Sequence, residues 1–213
     1  VRPGERVAIL STNMPNWGAV YFAITFMGAV AVPLLPDFNP EEIENILNHS
    51  GSTAIFASRG LQTKLKQVKT PHLAFQCCME DFSVCRPGED QVQYDPSDQP
   101  SRDYTVSEDD LAAMIYTSGT TGKSKGVMLT HKNICFTALK SKGVQYVDHT
   151  DRFLSVLPLS HTYENTIGFI LPMMCGSCVY YLDKPPSPSV LLPALQKVKP
   201  TMMLTVPLII EKI

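Results

Sequence analysis

Hydrophobic positions in the first part of the chain form short apolar runs separated by helix-like segments. Residues 6–10 (RVAIL), 29–35 (AVAVPLL) and 52–58 (STAIFAS) predict strands, because each is a short apolar run next to turn residues. Residues 17–27 and 40–50 predict the helices between them. This β-α-β-α-β order with short connections predicts an α/β fold, in which a mostly parallel sheet is layered with helices on both faces.

The second of these helices has clear end signals. Asn39 is a favoured N-cap residue, Pro40 suits the first helical position, and Gly51 is a typical helix stop. After it, residues 61–69 predict a weak helix and residues 71–76 a short strand.

The apolar pattern resumes after residues 86–110, which are polar and dotted with proline and therefore predict a surface loop. The later predicted strands are residues 111–117, 126–130, 153–157 and 178–182, and the helices are residues 131–143, 165–174 and 188–199. Residues 200–213 predict a strand running into another helix. A domain is not expected to close halfway through such a unit, so we expect the chain to be part of a longer protein.

Composition narrows the classes of function. With 44% hydrophobic and 18% charged residues, the composition is that of a folded domain. The net charge of -2 gives no electrostatic reason to expect nucleic acid binding, which needs a basic face. Six cysteines without a signal peptide favour reduced thiols in a cytosolic compartment. Cys175 and Cys178 are spaced as a redox pair or half of a zinc site. Because a second such pair is missing, we favour buried small residues entering a strand and expect no metal site in this chain.

Residues 17–36 contain no charged side chain and are long enough to cross a bilayer. Gly28 divides the run, however, and its second half is β-branched and contains two prolines. A buried helix followed by a buried strand explains the run, and a membrane-embedded protein stays as the alternative, to be tested by partition into detergent.

Residues 116–127, YTSGTTGKSKGV, concentrate glycine, lysine and hydroxyl side chains. Such a stretch can turn backbone N–H groups and lysine charge toward a phosphate. It is not a Walker A loop, because Gly119 and Gly122 are two residues too close and a strand rather than a helix is expected to follow. A plain turn between hairpin strands is the other alternative, but a turn needs far fewer hydroxyl residues.

The stretch resembles the T-S-G-T-T-G-x-P-K-G signature of the adenylate-forming superfamily, which includes acyl-CoA synthetases, luciferases and peptide-synthetase adenylation domains. The matching positions are Thr117, Ser118, Gly119, Thr120, Thr121, Gly122, Lys125 and Gly126, and Ser124 replaces the usual proline. Residues 4–17, 28–56 and 157–168 also resemble family segments. Residues 200–213 resemble the long-chain fatty acyl-CoA ligase branch, with Leu208 in place of a common arginine.

The resemblance implies that a carboxylate attacks the α-phosphorus of ATP, pyrophosphate leaves, and coenzyme A then displaces AMP from the acyl-adenylate. It implies that Thr117, Ser118, Gly119, Thr120, Thr121 and Gly122 bind the β- and γ-phosphates and that Lys125 makes a structural or phosphate contact. His161 is implied to be a tunnel-wall group near the reacting carboxylate rather than a base. Tyr116 is expected to be a packing residue and Glu164 a structural partner or helix-start acid.

The resemblance also sets the expected limits of this chain. Residues 1–213 are expected to be a partial N-terminal AMP-binding domain, inactive alone, because the family's magnesium-binding glutamate, ribose-binding aspartate and carboxy-terminal lysine would lie beyond Ile213. The expected substrates of the parent are a long-chain fatty acid, ATP with Mg²⁺, and coenzyme A. Short-chain, aryl or amino acids and a noncatalytic relative stay as alternatives. We expect a cytoplasmic enzyme, and peripheral membrane association and oligomeric state stay open.

Overall fold

A computed structural model describes residues 1–86, 104–117, 125–182 and 184–211 of the chain. The chain divides into two compact units. The first unit comprises Val1–Thr12 and Asn16–Lys132, and the second comprises Asn13–Pro15 and Asn133–Ile213.

The first unit contains a seven-stranded sheet with the strand order β5-β4-β3-β1-β2-β6-β7. Neighbouring strands run parallel from β4 to β6, and the strands at the two ends of this order, β5 and β7, are antiparallel to their neighbours. The strands are β1 (Arg6–Leu10), β2 (Val30–Leu34), β3 (Ala54–Ala57), β4 (Phe75–Cys78), β5 (Val84–Cys85), β6 (Leu111–Thr117) and β7 (Lys125–Thr130). The predicted α/β fold with a mostly parallel sheet is thus confirmed.

Helices connect the first strands of this sheet: α1 (Pro15–Phe26), α2 (Pro40–Ser50) and α3 (Arg59–Leu65). The predicted ends of α2 are confirmed. The Asn39 side chain accepts a hydrogen bond from the Glu42 N–H, the Glu42 side chain accepts one from the Asn39 N–H, and Gly51 has a left-handed φ of 62°.

The continuous apolar run of the sequence is divided between α1 and β2, as predicted. Gly28 separates the two elements with a φ of 76°, a backbone conformation that glycine adopts without steric cost. Every residue of β2 is buried, and Trp17 in α1 is fully buried. Within the described ranges, no helix has both the length and the apolar character needed to span a bilayer.

The second unit contains a two-stranded parallel sheet, in which β8 (Arg152–Ser155) pairs with β9 (Cys178–Tyr181). A π-helix over Glu164–Ile170 continues directly into α5 (Leu171–Cys175) between these strands. The remaining helices are α4 (His131–Val144), whose first two residues belong to the first unit, α6 (Pro188–Val198) and α7 (Pro207–Ile210). Phe153, Leu171, Val147 and Leu204 form part of the buried core of the second unit.

Several predictions for local structure were wrong in detail. The helix predicted for residues 165–174 is present, but its first part is π-helical, with the Leu171 N–H bonded to the Thr166 carbonyl five residues back. Pro172 has no N–H to continue that pattern, and the chain proceeds as α5. The strand predicted in residues 200–213 is reduced to one bridge between Met202 and Phe153. Cys178 does begin a strand, but it is exposed rather than buried.

Candidate functional site: a glycine-rich hairpin loop

The glycine-rich stretch joins two antiparallel strands of the first unit. Its ends lie opposite each other, because Thr117 at the end of β6 pairs with Lys125 at the start of β7. The intervening positions, which include the predicted phosphate-binding residues Ser118, Gly119, Thr120, Thr121 and Gly122, lie outside the described residues. A strand follows the loop, so the predicted absence of Walker A architecture is confirmed, since that loop must open a helix.

Thr117 and Lys125 are both exposed at the mouth of this hairpin. The strand pairing therefore places a hydroxyl group and a lysine side chain, neither of them part of the packed core, side by side at the two ends of the loop. A hydroxyl donor and an ammonium group suit a phosphate ligand. The structure thus brings together the two described members of the predicted phosphate-binding set.

Tyr116 supports the base of the loop from the inside. It is 5% exposed and belongs to the core cluster that includes Leu34 and Ile46. Its hydroxyl group lies 2.6 Å from Nδ1 of His49 in α2, and burial raises the pKa of the phenol. The predicted packing role of Tyr116 is therefore confirmed, and it ties the end of β6 to a helix.

Gly126, directly opposite Tyr116, makes room for that ring. A Cβ atom at Gly126 would lie 3.2 Å from Cζ of Tyr116 and 3.2 Å from Cγ of Met114. Such spacing is tighter than ordinary van der Waals contact. The absence of a side chain at Gly126 thus allows β6 and β7 to pack closely, and this packing role is separate from ligand binding by the loop.

His161 lies in the second unit, in the turn between β8 and the π-helix, and its side chain is exposed. Its N–H donates to the Pro158 carbonyl at 2.9 Å, and its carbonyl accepts from the Asn165 N–H at 2.9 Å. The ring nitrogen Nδ1 accepts from the Tyr163 N–H at 3.3 Å. The neutral ring therefore carries its proton on Nε2, which is left as a donor toward solvent or a ligand.

Glu164, at the start of the π-helix, is only 1% exposed. The Ser155 hydroxyl donates to its Oε1 at 2.5 Å, whereas Oε2 has no partner within the described part of the chain. Burial raises the pKa of this carboxyl to about 7, although the Ser155 hydrogen bond acts in the opposite direction. Glu164, predicted to be a structural partner or a helix-start acid, accepts a hydrogen bond from Ser155 and also begins the π-helix, but its burial was not foreseen.

The carboxyl group of Glu164 lies against Gly168, one helical turn further on. A Cβ atom at Gly168 would lie 2.7 Å from Cδ of Glu164. We expect Gly168→Ala to lower the free energy of unfolding by about 2 kcal/mol, because the buried and hydrogen-bonded carboxyl must move. Urea unfolding of the purified protein measures this change.

Gly143→Ala is the matched control for this prediction, because Gly143 is also helical and nothing lies within 4 Å of a Cβ atom built there. It is expected to leave stability unchanged or to raise it by about 0.5 kcal/mol. Equal unfolding free energies for the two glycine variants would show that the Glu164 carboxyl does not need the space at Gly168.

A separate surface depression of about 460 Å³ lies in the first unit, and none of the predicted site residues lines it. Its lining residues are Thr25, Phe26, Tyr104, Val106, Ser107, Glu108 and His131. Burial lowers the pKa of His131, partly offset by the charge of Asp110. The depression therefore shares no lining residue with the predicted phosphate-binding set.

Comparison with known proteins places this geometry in a family context. The family model for AMP-binding enzymes matches residues 1–213. Long-chain-fatty-acid–CoA ligase ACSBG2 of Gallus gallus is 29% identical over 224 residues, which cover 97% of this chain and 29% of that protein. Feruloyl-CoA synthase of Amycolatopsis sp is 28% identical over 215 residues, which cover 100% of this chain and 40% of that protein.

The fold is also similar to that of a solved structure. O-succinylbenzoate coenzyme A synthetase (MenE) of Bacillus subtilis, in complex with AMP, superposes with a TM-score of 0.78 at 24% identity, over 99% of this chain and 51% of that one. The chain thus spans less than half the length of these two curated relatives. Because the family model matches its whole length, this chain belongs to the AMP-binding enzyme family.

Proposed function

We propose that the full-length parent of this chain activates a carboxylic acid with ATP to form an acyl-adenylate, and then transfers the acyl group to coenzyme A. The observation that carries this proposal is the glycine-rich hairpin loop, whose exposed ends Thr117 and Lys125 are paired. The match of the whole chain to the AMP-binding enzyme family supports it. In this proposal, residues 1–213 form the first part of the domain that binds ATP.

The chemical demand on such a site is the management of negative charge. A carboxylate attacks the α-phosphorus of ATP while pyrophosphate leaves, so the leaving group must be stabilised in the transition state. The Thr117 hydroxyl and the Lys125 ammonium group are suited to that task, together with backbone N–H groups from Ser118 to Gly122. We assign the ligands of Mg²⁺ to the rest of the parent protein.

His161 is assigned to the acyl side of the reaction. Its Nδ1 accepts a backbone hydrogen bond, so its Nε2–H can donate to a carboxylate or to the carbonyl oxygen of an adenylate without transferring a proton. We therefore assign His161 to orientation of the reacting carboxylate rather than to acid–base catalysis.

A long-chain fatty acid is the substrate we favour. The support is the resemblance of residues 200–213 to the long-chain branch and the relative ACSBG2, which is a long-chain-fatty-acid–CoA ligase. The feruloyl-CoA synthase relative makes an aryl acid the second candidate. The two candidates differ in the shape of the acid that the site must accept.

Acid-dependent exchange of labelled pyrophosphate into ATP tests this function in the full-length protein. With ATP and Mg²⁺, we expect palmitate to support exchange better than ferulate or acetate, and coenzyme A to convert the palmitoyl-adenylate into palmitoyl-CoA. Faster exchange with ferulate would show that the preferred substrate is an aryl acid and not a fatty acid. ATP binding without exchange for any acid would favour a noncatalytic relative.

Residues 1–213 assayed alone are the matched control. They test the proposal that the active site is shared between this segment and the rest of the parent protein. We expect neither pyrophosphate release nor palmitoyl-AMP from ATP, Mg²⁺ and palmitate. Turnover by this segment would show that the groups assigned to the rest of the parent protein are dispensable.

A further inference from the structure

Asn13 fixes the segment that leaves β8 in the second unit. Its Nδ2 donates to the Ser155 hydroxyl at 3.0 Å and to the Leu157 carbonyl at 2.6 Å. Its Oδ1 accepts from the Leu159 N–H at 2.9 Å. The side-chain amide of Asn13, a residue distant in the sequence, thus bonds to every second residue from Ser155 to Leu159.

Ser155 extends this contact to the π-helix. Because its oxygen accepts a hydrogen bond from Asn13, its own proton can be donated to Oε1 of Glu164, at 2.5 Å. Ser155 and Glu164 are 2% and 1% exposed, so water does not compete for these bonds. A directional chain of hydrogen bonds therefore runs from Asn13 through Ser155 to Glu164.

Residues 160–163, which carry His161, lie between Leu159, which is anchored by Asn13, and Glu164, which is anchored by Ser155. His161, Thr162 and Tyr163 are all exposed, so this part of the turn gains little from burial of its own side chains. Its backbone is held by the bonds from the His161 N–H to Pro158 and from the Asn165 N–H to His161. The position of the His161 ring therefore depends on how firmly both ends of the turn are held.

Stability alone does not account for the carboxyl group at this place. Glu164 buries a second oxygen that has no partner among the described residues, and leaving a buried polar atom unpaired costs free energy. The Glu164 carboxylate also affects Tyr181 on β9. Burial and the charge of Glu164 raise the pKa of the Tyr181 phenol to about 12. A feature that is costly in energy and specific in its hydrogen bonding is typical of a site that orients another residue.

We propose that Glu164 is a positioning residue, whose carboxyl group, bonded to Ser155 and seated against Gly168, holds the turn that presents His161. This inference rests on the proposed function, in which His161 orients the carboxylate that reacts with ATP. Glu164 itself is buried behind the turn and acts only through it.

Kinetics of the full-length enzyme test this role. Glu164→Ala is expected to lower kcat for acyl-adenylate formation by about tenfold or more, because a misplaced orienting group raises the barrier. KM for ATP is expected to change much less, since the phosphate-binding loop is not altered. Glu164→Gln is expected to keep most of the activity, because its amide oxygen still accepts from Ser155. Glu41→Ala, at an exposed glutamate of α2, is the control and is expected to behave as wild type.

Hydrogen exchange adds a readout that does not need activity. The amides of His161 and Asn165 are expected to exchange faster in Glu164→Ala than in wild type or Glu164→Gln, while the amides of β1 stay unchanged. Wild-type kcat or wild-type exchange in Glu164→Ala would overturn the proposal, and so would an equal loss of kcat in Glu164→Gln. If wild type forms no acyl-adenylate, the proposed function fails, and hydrogen exchange still decides whether Glu164 holds the turn.

Discussion

Lys125→Ala in the full-length protein is expected to slow acyl-adenylate formation by roughly 10²-fold, the size of effect seen when one preorganised electrostatic contact is removed from a transition state. Lys125 is exposed at the mouth of the hairpin, opposite Thr117, and in the proposed function its ammonium group contacts the phosphates of ATP. Acid-dependent pyrophosphate exchange at saturating ATP measures the loss.

The fold is expected to survive this substitution, because an exposed side chain outside the core contributes little to stability. Lys142→Ala removes a similarly exposed lysine from α4 and serves as the matched control, with wild-type exchange expected. If Lys125→Ala retains wild-type adenylation kinetics, Lys125 does not belong to the active site and the assigned role is wrong.

Stability of the purified protein is expected to fall as the pH rises from about 4.5 to about 7, through the contribution of Glu164. Its carboxyl has a pKa of about 7 in the folded chain, whereas the ordinary pKa of a glutamate side chain is 4.5. Within this window the unfolded chain releases the proton and the folded chain keeps it, so deprotonation favours unfolding. The full effect above pH 7 is about 3 kcal/mol, and it vanishes below pH 4.5.

Urea unfolding of wild type and Glu164→Gln across this range isolates the contribution, because other titrating groups are common to both proteins. The difference between the two unfolding free energies is expected to shift in favour of the variant as the pH rises. A difference that is constant with pH would mean that the pKa of Glu164 is the same in the folded and unfolded chains, and would contradict the pKa of about 7.

The elements that the sequence predicts best are those with local causes. The ends of α2 depend on Asn39, Glu42 and Gly51, which contact their own helix, so a single sequence contains the whole signal. The same holds for β6 and β7, whose apolar residues adjoin a loop of unmistakable composition. The resemblance then linked that loop to a family, which the comparison with known proteins confirmed.

The features that sequence reasoning missed depend on contacts between distant residues. The hydrogen bonds from Asn13 to Ser155 and Leu157 have no signal in the pattern of apolar positions. The burial of Glu164 depends on the space above Gly168, and the periods of π- and α-helices are too similar to separate in a short segment. The sequence contains one signal for this burial: Glu164 is the single Asp, Glu, Lys or Arg in residues 153–182.

The strand order of the first unit has a consequence for the sequence of folding events. β6 meets β7 through a short hairpin but reaches β2 across a long intervening chain, with Ala31 paired to Ala113. A hairpin closes in about 1–10 μs, whereas pairing across a long separation is slowed by the entropy of loop closure. Thr117 and Lys125, the two ends of the glycine-rich stretch, are therefore expected to meet early, before β6 pairs with β2.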